Sequence, residues 1–287
     1  SEIWHAIPIL AFERDFVSPF INLGFLALGL TAAWAIGRPY GLGAHSLLGA
    51  AVVLGAETMT DFQAGEALND IVGVSLLLCA VALLVNAHAA TSRTPALPRT
   101  RSPSWAAVGF AGAAAGLAAG TKLSFLAPVA LLTVAVVAVA PRGPRGRASL
   151  AFGLPLVLAG GYWYARNLAN MGNPLPFTKW GPLGLPSPER AFELRPGFSV
   201  SHYWNDFEVW FGNSQYAGFA HYLSEELGPL WPLVLLATVG GGAYAIWRGR
   251  EALVRALGAV VVLTAVAYVF TPLTAGGEEG EPIAFEW

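Results

Sequence analysis

Eight apolar runs, each near the length that carries a helix across a bilayer, follow one another along this chain. They fall at roughly 17–37, 43–60, 70–88, 105–121, 123–140, 148–165, 228–247 and 252–271. Backbone amides in hydrocarbon have no water to bond. A spanning segment is therefore a helix or a strand of a closed barrel. Barrel strands alternate apolar and polar residues. These runs do not alternate, and they read as helices. Composition agrees: 12% of the 287 residues are charged, against about 25% in soluble domains. The expected fold is all-α, a polytopic transmembrane bundle of about eight spans forming one domain over residues 1–287.

The charges give the bundle an orientation. Ten of the 16 cationic residues fall in connections on one side: Arg38, Arg93, Arg99, Arg101, Arg142, Arg145, Arg147, Arg248, Arg250 and Arg255. Glu251 is the only acid among them. Basic connections stay in the cytoplasm, so the acids lie at the extracytoplasmic face of a multi-pass cell-membrane protein. The net charge of -2 offers no basic face to nucleic acid. Cys79 is the single cysteine, which excludes an intrachain disulfide and a thiolate metal cage. No His and carboxylate cluster has metal-ligand spacing, so no metal site is expected. The chain starts at Ser1 without a basic leader and stops in a polar stretch at Trp287. It reads as a fragment of a longer membrane protein.

The extracytoplasmic connections are the richer ones. Residues 166–227 form a loop with six prolines between 174 and 196, and loops of this length carry function or lack order. Tyr203, Trp204, Phe207, Trp210 and Phe211 fall on one helical stripe. The spacing predicts an amphipathic helix over 201–212, lying on the outer interface. It serves as an aromatic anchor or as the wall of a groove for a lipid substrate. Residues 1–13 are too short to span and are expected at the same interface, with Glu2 and His5 as candidate site residues. Gly112, Gly116 and Gly120 give one span a smooth face for close helix packing. Gly240, Gly241 and Gly242 mark a candidate bend in another.

Four acids, Glu57, Asp61, Glu66 and Asp70, crowd the edge between the second and third runs. Asp70 opens the third run, where a carboxylate either caps the helix or faces a cavity and takes a proton from an acceptor hydroxyl. Lys122 stands between two apolar runs, and a cation there must snorkel, pair with an acid or bind an anion. Arg166, followed by Asn167, stands likewise at the end of the sixth run. A lysine and an arginine beside a lipid interface suit a phosphate group, or pair with the nearby acids.

Gly116-Leu-Ala-Ala-Gly-Thr-Lys122, then Trp163-Tyr-Ala-Arg166-Asn167 and Gly172-Asn173-Pro174-Leu175, resembles the GT-C class of integral membrane glycosyltransferases. The similarity is greatest to bacterial relatives of the protein O-mannosyltransferases and of the aminoarabinose transferase of lipid A. Ala67-Leu-Asn69-Asp70 resembles the second outer loop of that family. The resemblance covers most of the chain and implies an enzyme. Its donor is a polyprenyl-phosphate-linked sugar, and its acceptor is a glycan, lipid or protein at the outer face. It implies Asp70, with Asp61 and Glu66, as catalytic carboxylates. It implies Lys122, Arg166 and Asn167 as carrier-phosphate contacts. The family also places a carboxylate in its first outer loop, and this chain begins after that point. Two other readings remain: a transporter or lipid flippase, and a non-catalytic membrane scaffold.

Overall fold

A computed structural model describes residues 9–10, 12–13, 17–56, 70–91, 104–141, 143–175, 185–186, 199–212 and 219–271. Among these residues every regular element is helical. The α-helices are α1 (Ser18–Gly37), α2 (Gly43–Leu54), α3 (Asp70–Ala89), α4 (Trp105–Thr121), α5 (Leu126–Val139), α6 (Arg145–Gly160), α7 (Tyr162–Met171), α8 (Phe207–Phe211), α9 (Phe219–Leu227), α10 (Trp231–Arg248) and α11 (Ala252–Phe270). Short 3-10 turns occupy Arg38–Tyr40, Leu123–Phe125 and Val200–Tyr203. The chain forms two compact units, Ser1–Gly161 with Tyr244–Val260, and Tyr162–Ala243 with Val261–Trp287.

In the first unit the helices neighbour one another in the order α2, α1, α3, α4, α6, α5. The glycines of α4 make the closest approach. A Cβ built on Gly112 or Gly116 would overlap the carbonyl oxygens of Phe152 and Leu156 on α6, and one on Gly160 would overlap that of Gly116. The four-residue glycine spacing is therefore a contact between backbones, as the sequence suggests. Around it Ala111, Ala115, Ala118, Leu132 and Phe152 are buried. Polar ties join α3 to α1: Ser75 Oγ donates to Phe25 O at 2.7 Å and Asn86 Nδ2 to Ala35 O at 2.9 Å. Large apolar side chains cover the outer faces, with Phe20, Phe110, Leu150 and Leu158 about two-thirds exposed or more.

Among the described residues, three helices are long and apolar enough to cross a membrane: Phe20–Tyr40, Asp70–Ala89 and Ala252–Phe270. The count is four if α6 and α7 are taken as one broken span. Helices Gly43–Leu54, Trp105–Thr121 and Leu123–Val139 are apolar but shorter. Two sequence boundaries change. The run at 43–60 stops as a helix at Leu54, where Gly55 forms the C-cap. The run at 148–165 is divided at Gly161, which donates to Val157 O and ends α6. Its glycine pair leaves hydropathy high while removing the side chains that favour a continuous helix. The triple glycine of α10, by contrast, lies within an unbroken helix.

The second unit has its own small core. Val200, Tyr203 and Phe219 are buried together, with Val209, Trp210 and Val269 against them. The single helix expected over 201–212 is instead two pieces, Val200–Tyr203 and α8. Asp206 divides them. Its backbone is extended, and its carboxylate accepts from Glu208 N at 3.1 Å and Val209 N at 3.2 Å, an N-cap that starts a new helix. The aromatic stripe divides with it. Tyr203 and Trp210 turn inward around Phe219, while Trp204, Phe207 and Phe211 are exposed.

Candidate functional site

Asp70 and Lys122, 52 residues apart, meet in the first unit. Lys122 Nζ donates to Asp70 Oδ1 at 2.8 Å. The local fold explains the meeting. α4 ends at Thr121, whose hydroxyl bonds back to Ala118 O at 2.6 Å. Lys122 is extended, φ -153 and ψ 144, and it turns the chain into Leu123–Phe125. Phe125 is buried, and its ring lies where a Cβ on Gly73 would be. Gly73 is one turn into α3, so seating Phe125 against it brings the start of α3 to the joint that carries Lys122. The pair stays open to solvent, with Lys122 42% and Asp70 25% exposed. Exposed ion pairs contribute only about 0–1 kcal/mol. The contact thus leaves two hydrogen-bonding groups that a ligand can reach at small cost.

The opposite end of α3 has a different chemistry. Arg38 Nη2 donates to Asn86 Oδ1 at 3.5 Å. Tyr40 donates to Glu251 Oε2 at 2.8 Å, and His88 Nε2 lies 3.7 Å from the same oxygen. Three arginines of this unit stand over tryptophans: Arg38 over Trp34, Arg147 over Trp105 and Arg248 over Trp247. Such pairs suit a membrane interface, where a ring and a cation both find their surroundings. Glu251, the isolated acid among the arginine connections, is the group that Tyr40 and His88 meet.

Of the other residues read from the sequence, Asp61, Glu66, Glu2 and His5 lie outside the described residues. Arg166 and Asn167 belong to the second unit. Arg166 is exposed, and its guanidinium lies 5.4 Å from the Trp163 ring centre. Asn167 Nδ2 donates to Pro174 O at 3.4 Å. The Gly172-Asn173 motif ends α7. Gly172 has φ 68, where a glycine is favoured. Asn173 is fully buried, donating to Pro186 O at 3.1 Å and accepting from Leu175 N at 2.9 Å. It shapes the loop.

Trp204, Asn205, Phe207, Trp210 and Phe211 line an open hollow of about 270 Å³. Beneath it Trp210 Nε1 donates to Tyr203 O at 2.9 Å. Burial, and then the Asp206 charge, push the Tyr203 phenol above its ordinary range. Among the described residues no three His, Cys, Asp or Glu side chains gather to hold a metal. No protein-family model, curated protein or solved structure matches the chain.

Proposed function

We propose that the protein is a membrane glycosyltransferase that moves a sugar from a polyprenyl-phosphate carrier to an acceptor at the extracytoplasmic face. All eight apolar runs cross the membrane in this reading, as in the GT-C class that the motifs resemble. The observation that carries the proposal is the Asp70–Lys122 contact. It sets a carboxylate and an ammonium side by side, solvent-accessible, at the end of α3 away from the arginines. In the reaction a carboxylate takes the proton of the acceptor hydroxyl. The acceptor oxygen then bonds to the anomeric carbon. The bond from that carbon to the phosphate oxygen breaks, and its electron pair leaves with the lipid phosphate. An ammonium beside that phosphate steadies the developing charge. Asp70 takes the first role and Lys122 the second.

The test is turnover of a polyprenyl-phosphate sugar by the full protein in liposomes, read as release of polyprenyl phosphate. Asp70→Asn should lower the rate about 100-fold or more at unchanged protein level. Equal rates for this variant and the wild type would remove Asp70 from the chemistry. A complete lack of donor cleavage would defeat the transferase reading. One observation favours a second reading, transport: α6 stops at Gly160 and α7 starts at Tyr162, with Pro155 inside α6. Broken helices serve substrate sites in transporters. Movement of the lipid-linked sugar across the bilayer without its cleavage would identify that activity.

A further inference from the structure

The connection between α10 and α11 carries three arginines in eight residues: Arg248, Arg250 and Arg255. α10 ends at Arg248, where Gly249 N donates back to Ala245 O at 2.9 Å, and α11 begins at Ala252. The turn is tight. Arg255 Cγ lies 3.0 Å from where a Cβ on Gly249 would be, so its stem folds over the residue that separates Arg248 from Arg250. All three arginines are exposed. Glu251 is the only acid of the connection, and its carboxylate is engaged elsewhere. Tyr40 donates to Oε2 at 2.8 Å, and His88 Nε2 lies 3.7 Å from the same oxygen. Among the described residues no carboxylate forms an ion pair with any of the three guanidiniums. We infer that this connection binds the headgroup of an anionic phospholipid through Arg248, Arg250 and Arg255, with Trp247 as its anchor. Such a site stands apart from the transferase reading: Glu251 ties it to the end of α3 opposite Asp70.

A guanidinium is planar, keeps its charge and meets phosphate oxygens in pairs. Three of them crowded on one turn repel one another, and a bound anion relieves that cost. The place of the turn says which anion. It leads into α11, a helix long and apolar enough to cross a membrane, so the arginines sit at a bilayer edge. Trp247 is 74% exposed and Ile246 40%, which sets an indole and an aliphatic side chain outward beside the charges. The Arg248 guanidinium lies 4.3 Å from the centre of the Trp247 ring. An indole favours the headgroup level, and the cation above it meets the phosphates there. A soluble anion would use the arginines and leave the apolar side chains in water; a lipid uses both. A zwitterionic headgroup brings its own cation, whereas an anionic one brings the net charge that the arginines match. The start of α6 is a weaker candidate. It has two arginines, Arg145 with Nε bonded to Ala140 O at 3.2 Å and Arg147 over the half-buried Trp105.

Native mass spectrometry of the full protein in detergent, titrated with dioleoyl-phosphatidylglycerol, reads the affinity of the first bound lipid. Phosphatidylcholine with the same chains and glycerol phosphate are the other probes. The wild type should hold phosphatidylglycerol about tenfold or more tighter than phosphatidylcholine. Arg248→Gln, Arg250→Gln and Arg255→Gln should each weaken it about fivefold, the share of one arginine at an anionic surface. Trp247→Ala should weaken it by a similar factor, and Trp247→Phe should restore most of that loss. All four side chains are exposed, so these variants leave the core intact. Arg145→Gln combined with Arg147→Gln should leave the affinity within about twofold, since these residues stand outside the proposed site. Equal binding of the two lipids overturns the proposal. An equal loss in the Arg145 and Arg147 variant also overturns it, because that result marks diffuse charge and no site. Glycerol phosphate bound as tightly as the lipid would make this a site for a soluble anion and overturn the lipid assignment. Donor turnover enters none of these measurements, so failure here leaves the transferase reading standing.

Discussion

Asn173 shows how a motif residue divides between chemistry and structure. Its side chain is fully buried, and both its oxygen and its nitrogen bond to backbone. Removing one partner of such a pair leaves buried groups unsatisfied, at about 1–3 kcal/mol. Asn173→Ala should therefore reduce the stability of the second unit by that amount, read as a lower denaturation midpoint. Wild-type stability with lost turnover would instead assign Asn173 to the reaction. Tyr203 makes a prediction about pH. Its phenol lies above the ordinary 10.0, chiefly through burial and then through Asp206. The folded unit thus favours the protonated form. The resulting stabilisation is complete below pH 10 and is lost as pH rises through the folded value. Stability should fall less steeply in Tyr203→Phe than in wild type above pH 10, and parallel curves would exclude Tyr203 as the source. Asp70 and Lys122 stand out in the sequence as charges beside apolar runs. Their pairing was one of several options, because no local pattern joins residues 52 positions apart.

Helices differ in how fully their sequences declare them. Residues 105–121 form the expected helix without shift, and 252–271 loses a single residue at its end. Long apolar runs bounded by polar residues leave the chain little choice in hydrocarbon. The break at Gly161 was hidden because glycine hardly lowers an apolar average, although it weakens a helix. The division at Asp206 was hidden for another reason. Two short helices and one long helix share the same aromatic period, and only the capping geometry separates them. The glycine face of α4 was legible as a spacing, and its partner α6 was not. A specific test follows. Gly116→Leu should destabilise the protein by about 2–3 kcal/mol, since an added side chain meets the Leu156 carbonyl. Gly109→Ala should cost nothing, because its Cβ would rest 3.5 Å from Ala151 O. Similar losses in both variants would contradict a contact that is tight at Gly116 and loose at Gly109.

For the molecule as a whole, the decisive feature is the contrast between the two ends of α3. α3 runs for 20 residues, with the carboxylate–ammonium contact at its start, Asp70, and near its other end Asn86, which meets the Arg38 that stands over Trp34. A helix of that length rises about 30 Å, the thickness of a bilayer's hydrocarbon. The arginine distribution was readable from the sequence because charge bias is summed over many connections. The presence of two compact units was not readable, because the apolar runs look alike on either side of Gly161. The proposed orientation, with the Asp70–Lys122 end outside, can be measured directly. Cysteines are introduced singly at the exposed positions Ser124→Cys and Gly146→Cys, in a protein lacking Cys79, the only native cysteine. A membrane-impermeant maleimide is then applied to intact cells. Labelling at 124, with 146 reacting only after permeabilisation, is the predicted result. Labelling at 146 and protection at 124 would place the acid–lysine pair in the cytoplasm and contradict the proposed reaction face.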